Sequence, residues 1–327
     1  MTTTDIEQLH KLMEDALPEL EALIGWQPGY DALHAAPAIA RTPEEASRLV
    51  FNPFCIHNLA RTVAKTPPPP AKEGEAPKKI GVCVKGCDSR SIIALIQEGF
   101  LKREQLYIIG IPCKGTIDLR RLMKLAGEDL RAGVKSARIE GDSLVVEGAK
   151  GSRSFPLEKV LARRCMRCKY PNPVIYDVMA GDPVIPRASE EEAHKDVDAV
   201  ENLPVAERLA FWQGELDRCI RCYACRNACP LCMCQDRCIA ETRDPKWLPQ
   251  YMGLSEKFIF HFIHAMHLAG RCTECGECER VCPQEIPVTL IKEKLNRITK
   301  ELLDYEAGVS TEAVPTFLTF NPEELGI

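Results

Sequence analysis

Apolar residues near the start of the chain recur at helical spacing, Ile6, Leu9, Met13, Leu17 and Leu20, behind a capping-box pattern at Thr4 and Glu7. That rhythm predicts a first helix, and it breaks after Gly25 and Pro28. Helical segments are expected again over 44–50 and 55–64, so residues 1–66 read as an N-terminal helical arm that packs on the next module or a neighbouring subunit. Residues 67–79 open with prolines and form a stiff, polar linker. From Lys79 the rhythm changes. Residues 80–84 and 106–111 read as buried strands, 89–100 and 116–130 as helices, and 134–139 with 144–147 as a hairpin turning through Gly141 and Asp142. Strands alternating with helices of this length predict an α/β module over 80–182, a small and mostly parallel sheet with helices over it. Residues 183–210 turn acidic and proline-containing, as a linker does, and 211–303 return to helical patterning with long helices at 254–269 and 288–303. The tail, 304–327, has little means of folding alone but offers Pro315, Phe317, Phe320 and Pro322 as anchors for docking.

Composition narrows the function classes. The chain has 327 residues and a formal net charge of −5, which carries no nucleic-acid footprint. Its first residues lack the basic start and apolar stretch of a secretory signal. The most apolar stretch, 258–269, is interrupted by His261, His264 and His267 and is too short and polar to span a bilayer. A cytoplasmic location is expected, with any membrane attachment made through a partner. Seventeen cysteines without a secretion signal point to metal ligation in a reducing compartment rather than to disulfides.

Eight of those cysteines form two matching ladders. Cys219, Cys222, Cys225 and Cys229 precede Pro230, and Cys272, Cys275, Cys278 and Cys282 precede Pro283. Both read C-x2-C-x2-C-x3-C-P, in which three thiolates of one tight loop hold one 4Fe-4S cube and the fourth reaches across to the other. Cluster 1 is thus expected on Cys219, Cys222, Cys225 and Cys282, and cluster 2 on Cys272, Cys275, Cys278 and Cys229. Structural zinc is the alternative, but it needs only four ligands in paired spacing. The 42 residues between Cys229 and Cys272 exceed what a minimal two-cube ferredoxin needs, which makes 211–303 an all-α two-cluster domain.

The remaining cysteines divide. Cys87 and Cys113 each follow a predicted strand, so parallel pairing brings both to the carboxyl edge where open α/β sheets bind ligands. With the C-x2-C pair Cys165 and Cys168 they can enclose a third cube, a zinc ion, or no metal. Cys83 reads as core, with substitution for Cys87 as a ligand the alternative. Cys232, Cys234 and Cys238 read as buried thiols lining the cluster pocket, with an additional metal or an alternative ligand set as the other reading, and the three histidines as packing or partner-contact residues rather than ligands.

At this point a family resemblance enters. Gly110-Ile-Pro-Cys113-Lys resembles the G-(T/I)-P-C-Q segment of the β subunits of deazaflavin-coenzyme-dependent hydrogenases and formate dehydrogenases. Lys85-Gly-Cys87-Asp88-Ser-Arg90 is similar to the P-C-(D/E)-x-R segment of the same group, and Cys165-x2-Cys168 followed by Gly181-Asp182 resembles its C-x2-C…GD stretch. The likeness covers residues 80–182 and implies a cluster near the sheet. The helical cluster domain is similar to those of fumarate-reductase-like and heterodisulfide-reductase-like electron-transfer subunits. The family's flavin-binding portion does not follow the GD segment, and no G-x-G-x-x-G or G-x4-G-K-(S/T) loop is present, so FAD is not expected.

The resulting expectation is an iron–sulfur electron-transfer subunit of a multi-subunit anaerobic oxidoreductase of the formate-dehydrogenase, hydrogenase or heterodisulfide-reductase-linked kind, partnered by other redox subunits. No catalytic constellation stands out. The alternatives are a flavin-dependent reductase of a deazaflavin or nicotinamide coenzyme, and a zinc-structured interaction scaffold. Arg218, Arg221 and Arg226 thread the first ladder while Glu274, Glu277 and Glu279, only partly offset by Arg271 and Arg280, thread the second, so cluster 1 is expected at the higher potential. Ile220, Val281 and Ile286 are expected to keep water from the clusters.

Overall fold

A computed structural model of the chain describes residues 3–68, 78–127, 130, 133–234, 238–240 and 248–318. The middle of the expected linker (69–77) and the end of the tail (319–327) lie outside the described residues. Two compact units divide the chain, one of residues 1–89 with 102–193, the other of residues 90–101 with 194–327. Among the described residues, no helix is long and apolar enough to cross a membrane.

The first unit is built on a five-stranded sheet in the order β2-β1-β3-β4-β8. Its strands are β1 (Leu20–Pro28), β2 (Ala35–Ala40), β3 (Lys79–Val84), β4 (Leu106–Gly110) and β8 (Val178–Met179). Only β1 and β2 pair antiparallel; β1–β3, β3–β4 and β4–β8 are parallel. Residues 1–66 are therefore not a helical arm. The helical rhythm of the first helix (Thr3–Ala16) runs on to Leu17 and Leu20 in sequence, but Leu20 opens β1, the strand next to β3 at the centre of the sheet. The short helices Pro43–Ala46 and Ala60–Ala64 are what remain of the two expected there. β3 is buried from Ile80 to Val84, the continuous apolar run of a parallel strand covered on both faces.

A second, three-stranded antiparallel sheet joins β5 (Ser136–Glu140), β6 (Ser143–Gly148) and β7 (Gly151–Pro156). The turn through Gly141 and Asp142 holds, with Gly141 left-handed at φ 54°. β7 has a single apolar residue, Phe155, and carries no alternation to announce it. Phe155, Leu144 and Val146 pack with Val160, Leu161 and Cys165 in one core.

The second unit is helical. Its main helices are Val205–Asp217, Leu254–Met266 and Thr289–Leu303, and the expected 183–210 linker is itself partly helical at Glu190–Ala193 and Lys195–Glu201. Its core contains Cys219, Cys225, Cys278 and Cys282 beside Leu216, Phe260 and Ile286. The tail is not loose up to residue 318. Tyr305 is buried and donates to Gln97 Oε1 (3.0 Å), Gln97 donates to the carbonyls of Ser310 and Ala313, and Arg90 donates to that of Ala307.

Gly86 opens the helix after β3 because nothing larger fits: a Cβ there would stand 1.9 Å from the Tyr170 carbonyl oxygen. Gly214, inside the Val205–Asp217 helix, faces open space. Gly86→Ala is expected to destabilise the first unit by about 1–3 kcal/mol through forced backbone movement, whereas Gly214→Ala should stabilise its helix by about 1 kcal/mol. Thermal melts followed by circular dichroism check the opposite signs.

Candidate metal centres

The two ladders fold alike. In each, the second and fourth residues after the first cysteine take left-handed backbone: Arg221 (φ 46°) and Tyr223 (φ 60°) in one, Glu274 (φ 56°) and Gly276 (φ 71°) in the other. A left-handed residue without glycine's freedom is uncommon and costs about 1–3 kcal/mol where it persists. Here it curls the chain so that Arg221 N–H donates to Cys219 Sγ (3.3 Å) and Glu274 N–H donates to Cys272 Sγ (3.4 Å). A one-turn helix follows in both, Ala224–Ala228 and Glu277–Arg280.

The chain then crosses over. One cavity is lined by Cys219, Cys222 and Cys225 of the first ladder together with Cys282 of the second. Cys219 and Cys225 both feel the charge of Cys282, while Cys272 and Cys275 both feel that of Cys229. Among the described residues, no three His, Cys, Asp or Glu side chains converge as a single ion requires. Eight soft thiols, four of them lining one cavity, with peptide N–H groups aimed at sulfur, are the donor chemistry of iron–sulfur cubes.

The walls are uneven. Ile286 is buried beside the first set, but Ile220 is 52% exposed and Cys222 is exposed, so Ile220 does not shield the site as its aliphatic side chain suggested. Burial pushes Cys225 up to about 12, opposed first by the Lys292 ammonium. The ring of His261 stands with Nε2 3.3 Å from Cys219 Sγ, and burial holds its pKa down at about 4. His264 is buried too and kept neutral by burial, whereas His267 is exposed. Cys232 is hydrogen-bonded to Cys229 and Cys238 packs against the core, but Cys234 is exposed rather than lining the pocket.

In the first unit, the parallel register pairs Val84 with Gly110, and Ile111 N–H donates to the Val84 carbonyl (2.8 Å). Cys87 and Cys113 therefore leave neighbouring strands at one edge. Gly115 N–H donates to Cys113 Sγ (3.3 Å), and Thr116 N–H donates to Cys165 Sγ (3.3 Å). Cys113 feels the charge of Cys165, and Cys87 that of Cys113. Burial raises Cys87 well above the thiol range and Cys113 to about 11. It acts on Cys165 as well, but the Arg164 guanidinium and the Thr116 hydrogen bonds overcome it and leave that thiol lowered. Cys168 is half-buried, its carbonyl accepting from Arg187 N–H (3.0 Å). Lys85, 1% exposed, pairs with Asp88 (3.0 Å), donates to the His57 carbonyl and lies 4.0 Å from the Trp26 ring centroid. Cys83 is core, as read. Cys55, which has no spacing partner in sequence, is buried here and within electrostatic reach of Cys113.

Residues 77–232 match the family described as the C terminus of the coenzyme F420 hydrogenase/dehydrogenase beta subunit, and residues 215–286, which hold both ladders, match the 4Fe-4S dicluster domain. The chain thus carries a segment of the coenzyme F420 hydrogenase/dehydrogenase beta-subunit type and a 4Fe-4S dicluster domain. The family match runs past the 80–182 of the three short motifs and through the first ladder. A relative named F420-dependent formate dehydrogenase subunit beta, from Methanocaldococcus jannaschii, is 26% identical over 74% of this chain and 77% of its own. The F420-dependent formate dehydrogenase 1 subunit beta of Methanococcus maripaludis is 25% identical over 90% of this chain and 88% of its own. A chain of the F420-reducing NiFe hydrogenase complex from Methanosarcina barkeri aligns over 64% of this chain and 86% of that one, at 14% identity and a TM-score of 0.36, which adds nothing to the fold described.

Cys55, pushed up to about 12 by burial, stays a thiol in the folded protein. Its raised value contributes stability that is fully present below the unfolded thiol's pKa of about 8.5 and is lost as pH climbs towards 12. Iodoacetamide at pH 8 should leave Cys55 unlabelled until the chain is unfolded, and Cys55→Ala should lessen the alkaline loss of stability; peptide mass spectrometry and melts between pH 8 and 11 test both.

Proposed function

We propose that this chain is the iron–sulfur beta subunit of a multi-subunit formate-dehydrogenase- or hydrogenase-type complex and relays electrons between the redox centres of its partners. The observation that carries the reading is the cavity lined by Cys219, Cys222, Cys225 and Cys282, a set of four drawn from both ladders. Cluster 1 would rest on those residues, and cluster 2 on Cys272, Cys275, Cys278 and Cys229. A third cube would sit at the carboxyl edge of β3 and β4, on Cys87, Cys113, Cys165 and Cys168. A bound cube supplies one-electron chemistry whose potential follows net charge, hydrogen bonds to sulfur and solvent exposure. The residues here act on those terms. Arg221 N–H, Glu274 N–H and His261 place hydrogen bonds at sulfur. Phe260 and Ile286 exclude water, and the exposed edge at Ile220 and Cys222 is where an electron would enter or leave. The absence of long apolar helices among the described residues fits a cytoplasmic subunit that meets a membrane only through a partner.

The names of the relatives, which specify F420 dependence, favour one second reading, a flavin-dependent reductase of that coenzyme. Anaerobic purification separates the two. The electron-transfer reading expects about eight iron per chain for two cubes, or about twelve for three, without stoichiometric flavin. Iron-free protein holding zinc would overturn it, and one flavin per chain would move the assignment to the reductase. Cys282→Ser should alter the EPR signal of the cluster on Cys219, Cys222 and Cys225, and leave that of cluster 2 in place; the reverse result would refute the crossed ligand sets.

A further inference from the structure

The arginines of the first ladder, from which its higher potential was expected, are committed elsewhere. Arg218 pairs with Glu215 and donates to the Gln284 carbonyl (3.0 Å). Arg221 donates to the carbonyls of Pro249 (2.9 Å) and Tyr251 (2.8 Å), and Arg226 to Asn227 Oδ1 (3.0 Å) and the Cys234 carbonyl. The acids of the second ladder are also matched: Glu277 by Arg280 (2.7 Å), Glu279 by the Thr289 hydroxyl (2.8 Å) and Glu274 by the Asn296 amide (2.9 Å).

One buried cation stands apart from these contacts. Lys292 lies outside both ladders, on the Thr289–Leu303 helix, is 2% exposed, and its ammonium has no hydrogen-bond partner among the described residues. A lysine that deep without a partner is rare and costly. Its position on the helix explains its aim. Thr289, Lys292 and Asn296 share one helix face by their spacing. Thr289 Oγ1 stands 3.8 Å from Cys278 Sγ and Asn296 donates to the Cys272 carbonyl (2.6 Å), so that face lies along the second ladder. The ammonium interacts with the thiols of Cys278, Cys229 and Cys272 from one set and Cys225 from the other.

We infer that Lys292 is the counter-charge shared by the two clusters, and that it raises both reduction potentials, that of the Cys272, Cys275, Cys278 and Cys229 set more. The inference rests on the two-cube reading above. A lysine ammonium is positive at neutral pH, and the helix face that carries it lies along the second ladder. Other basic groups near these thiols are engaged: Arg271 pairs with Glu98, Lys257 pairs with Asp217 (3.2 Å), and Arg226 is held as described. A buried positive charge favours the more negative, reduced cube. Lys292 therefore offsets the acidic second ladder and narrows the gap in potential expected from ladder charge alone.

Anaerobic EPR-monitored redox titration of the full chain tests this, in wild type, Lys292→Met, Lys292→Gln and Lys292→Arg, with Cys222→Ser marking the signal of the first set. In both neutral variants the reduced-to-oxidised ratio of cluster 2 at fixed potential should fall about tenfold (~59 mV for one electron), and that of cluster 1 by less. Lys292→Arg should stay near wild type. Neutral variants that lose iron while Lys292→Arg keeps it would also support the charge requirement. The inference is overturned by neutral variants with full iron and unmoved midpoints, by a Lys292→Arg shift as large as that of Lys292→Met, or by loss of iron from all three, since shape rather than charge would then be what the site needs. Wild-type protein lacking two EPR centres would refute the two-cube reading itself, whatever Lys292 does.

Discussion

Anionic sulfur inside a protein has to be met by donors or by positive charge, because burial alone drives thiols towards their neutral form. The helical unit is organised around that demand. Its core is partly sulfur, with Cys219, Cys225, Cys278 and Cys282 packed against Leu216 and Phe260. Its ladders accept left-handed backbone at Arg221, Tyr223 and Glu274, and the N–H groups of Arg221 and Glu274 reach the first thiol of each ladder. The burial of Lys292 makes sense in the same terms.

The sheet-based unit meets the demand by different means. Parallel pairing of β3 with β4 delivers Cys87 and Cys113 to one edge, and a separate segment brings Cys165 to Thr116 and Arg164. Lys85 is buried beside them but tied to Asp88 and the His57 carbonyl, and Asp88 in turn accepts the backbone N–H groups of Leu59 and Lys85. Its charge is therefore compensated locally. The two units thus carry a buried lysine in two conditions, one paired with a carboxylate and one, Lys292, with no hydrogen-bond partner among the described residues.

Much of this was legible in the sequence because the ladders encode chemistry by spacing, and spacing survives folding. The helices Leu254–Met266 and Thr289–Leu303 were visible for the same reason, as periodicity over more than a dozen residues. What escaped was carried by single residues or short runs. β1 hid behind the helical rhythm that precedes it, and β7 has one apolar residue in six. Cys55 has no spacing partner, and its neighbours come from distant segments. Ladder composition does not disclose what its arginines meet: the carbonyls of Gln284, Pro249 and Cys234 that accept from Arg218, Arg221 and Arg226 lie 66, 28 and 8 residues away. Lys292 did leave a trace: polar Thr289, Lys292 and Asn296 at a spacing of three and four, on a helix face that turns out to be inward.

The crossing of Cys282 into the cavity of the first ladder has a topological meaning as well as a chemical one. Bridged through a common inorganic core, Cys222 and Cys282 would cinch the intervening chain into a closed noose, tethering the Leu254–Met266 helix at both ends. Long loops tied in this way lose the most freedom in the unfolded state. The metal would then be a girth strap on the helical unit, and stripping it would slacken the whole of that stretch rather than one binding loop.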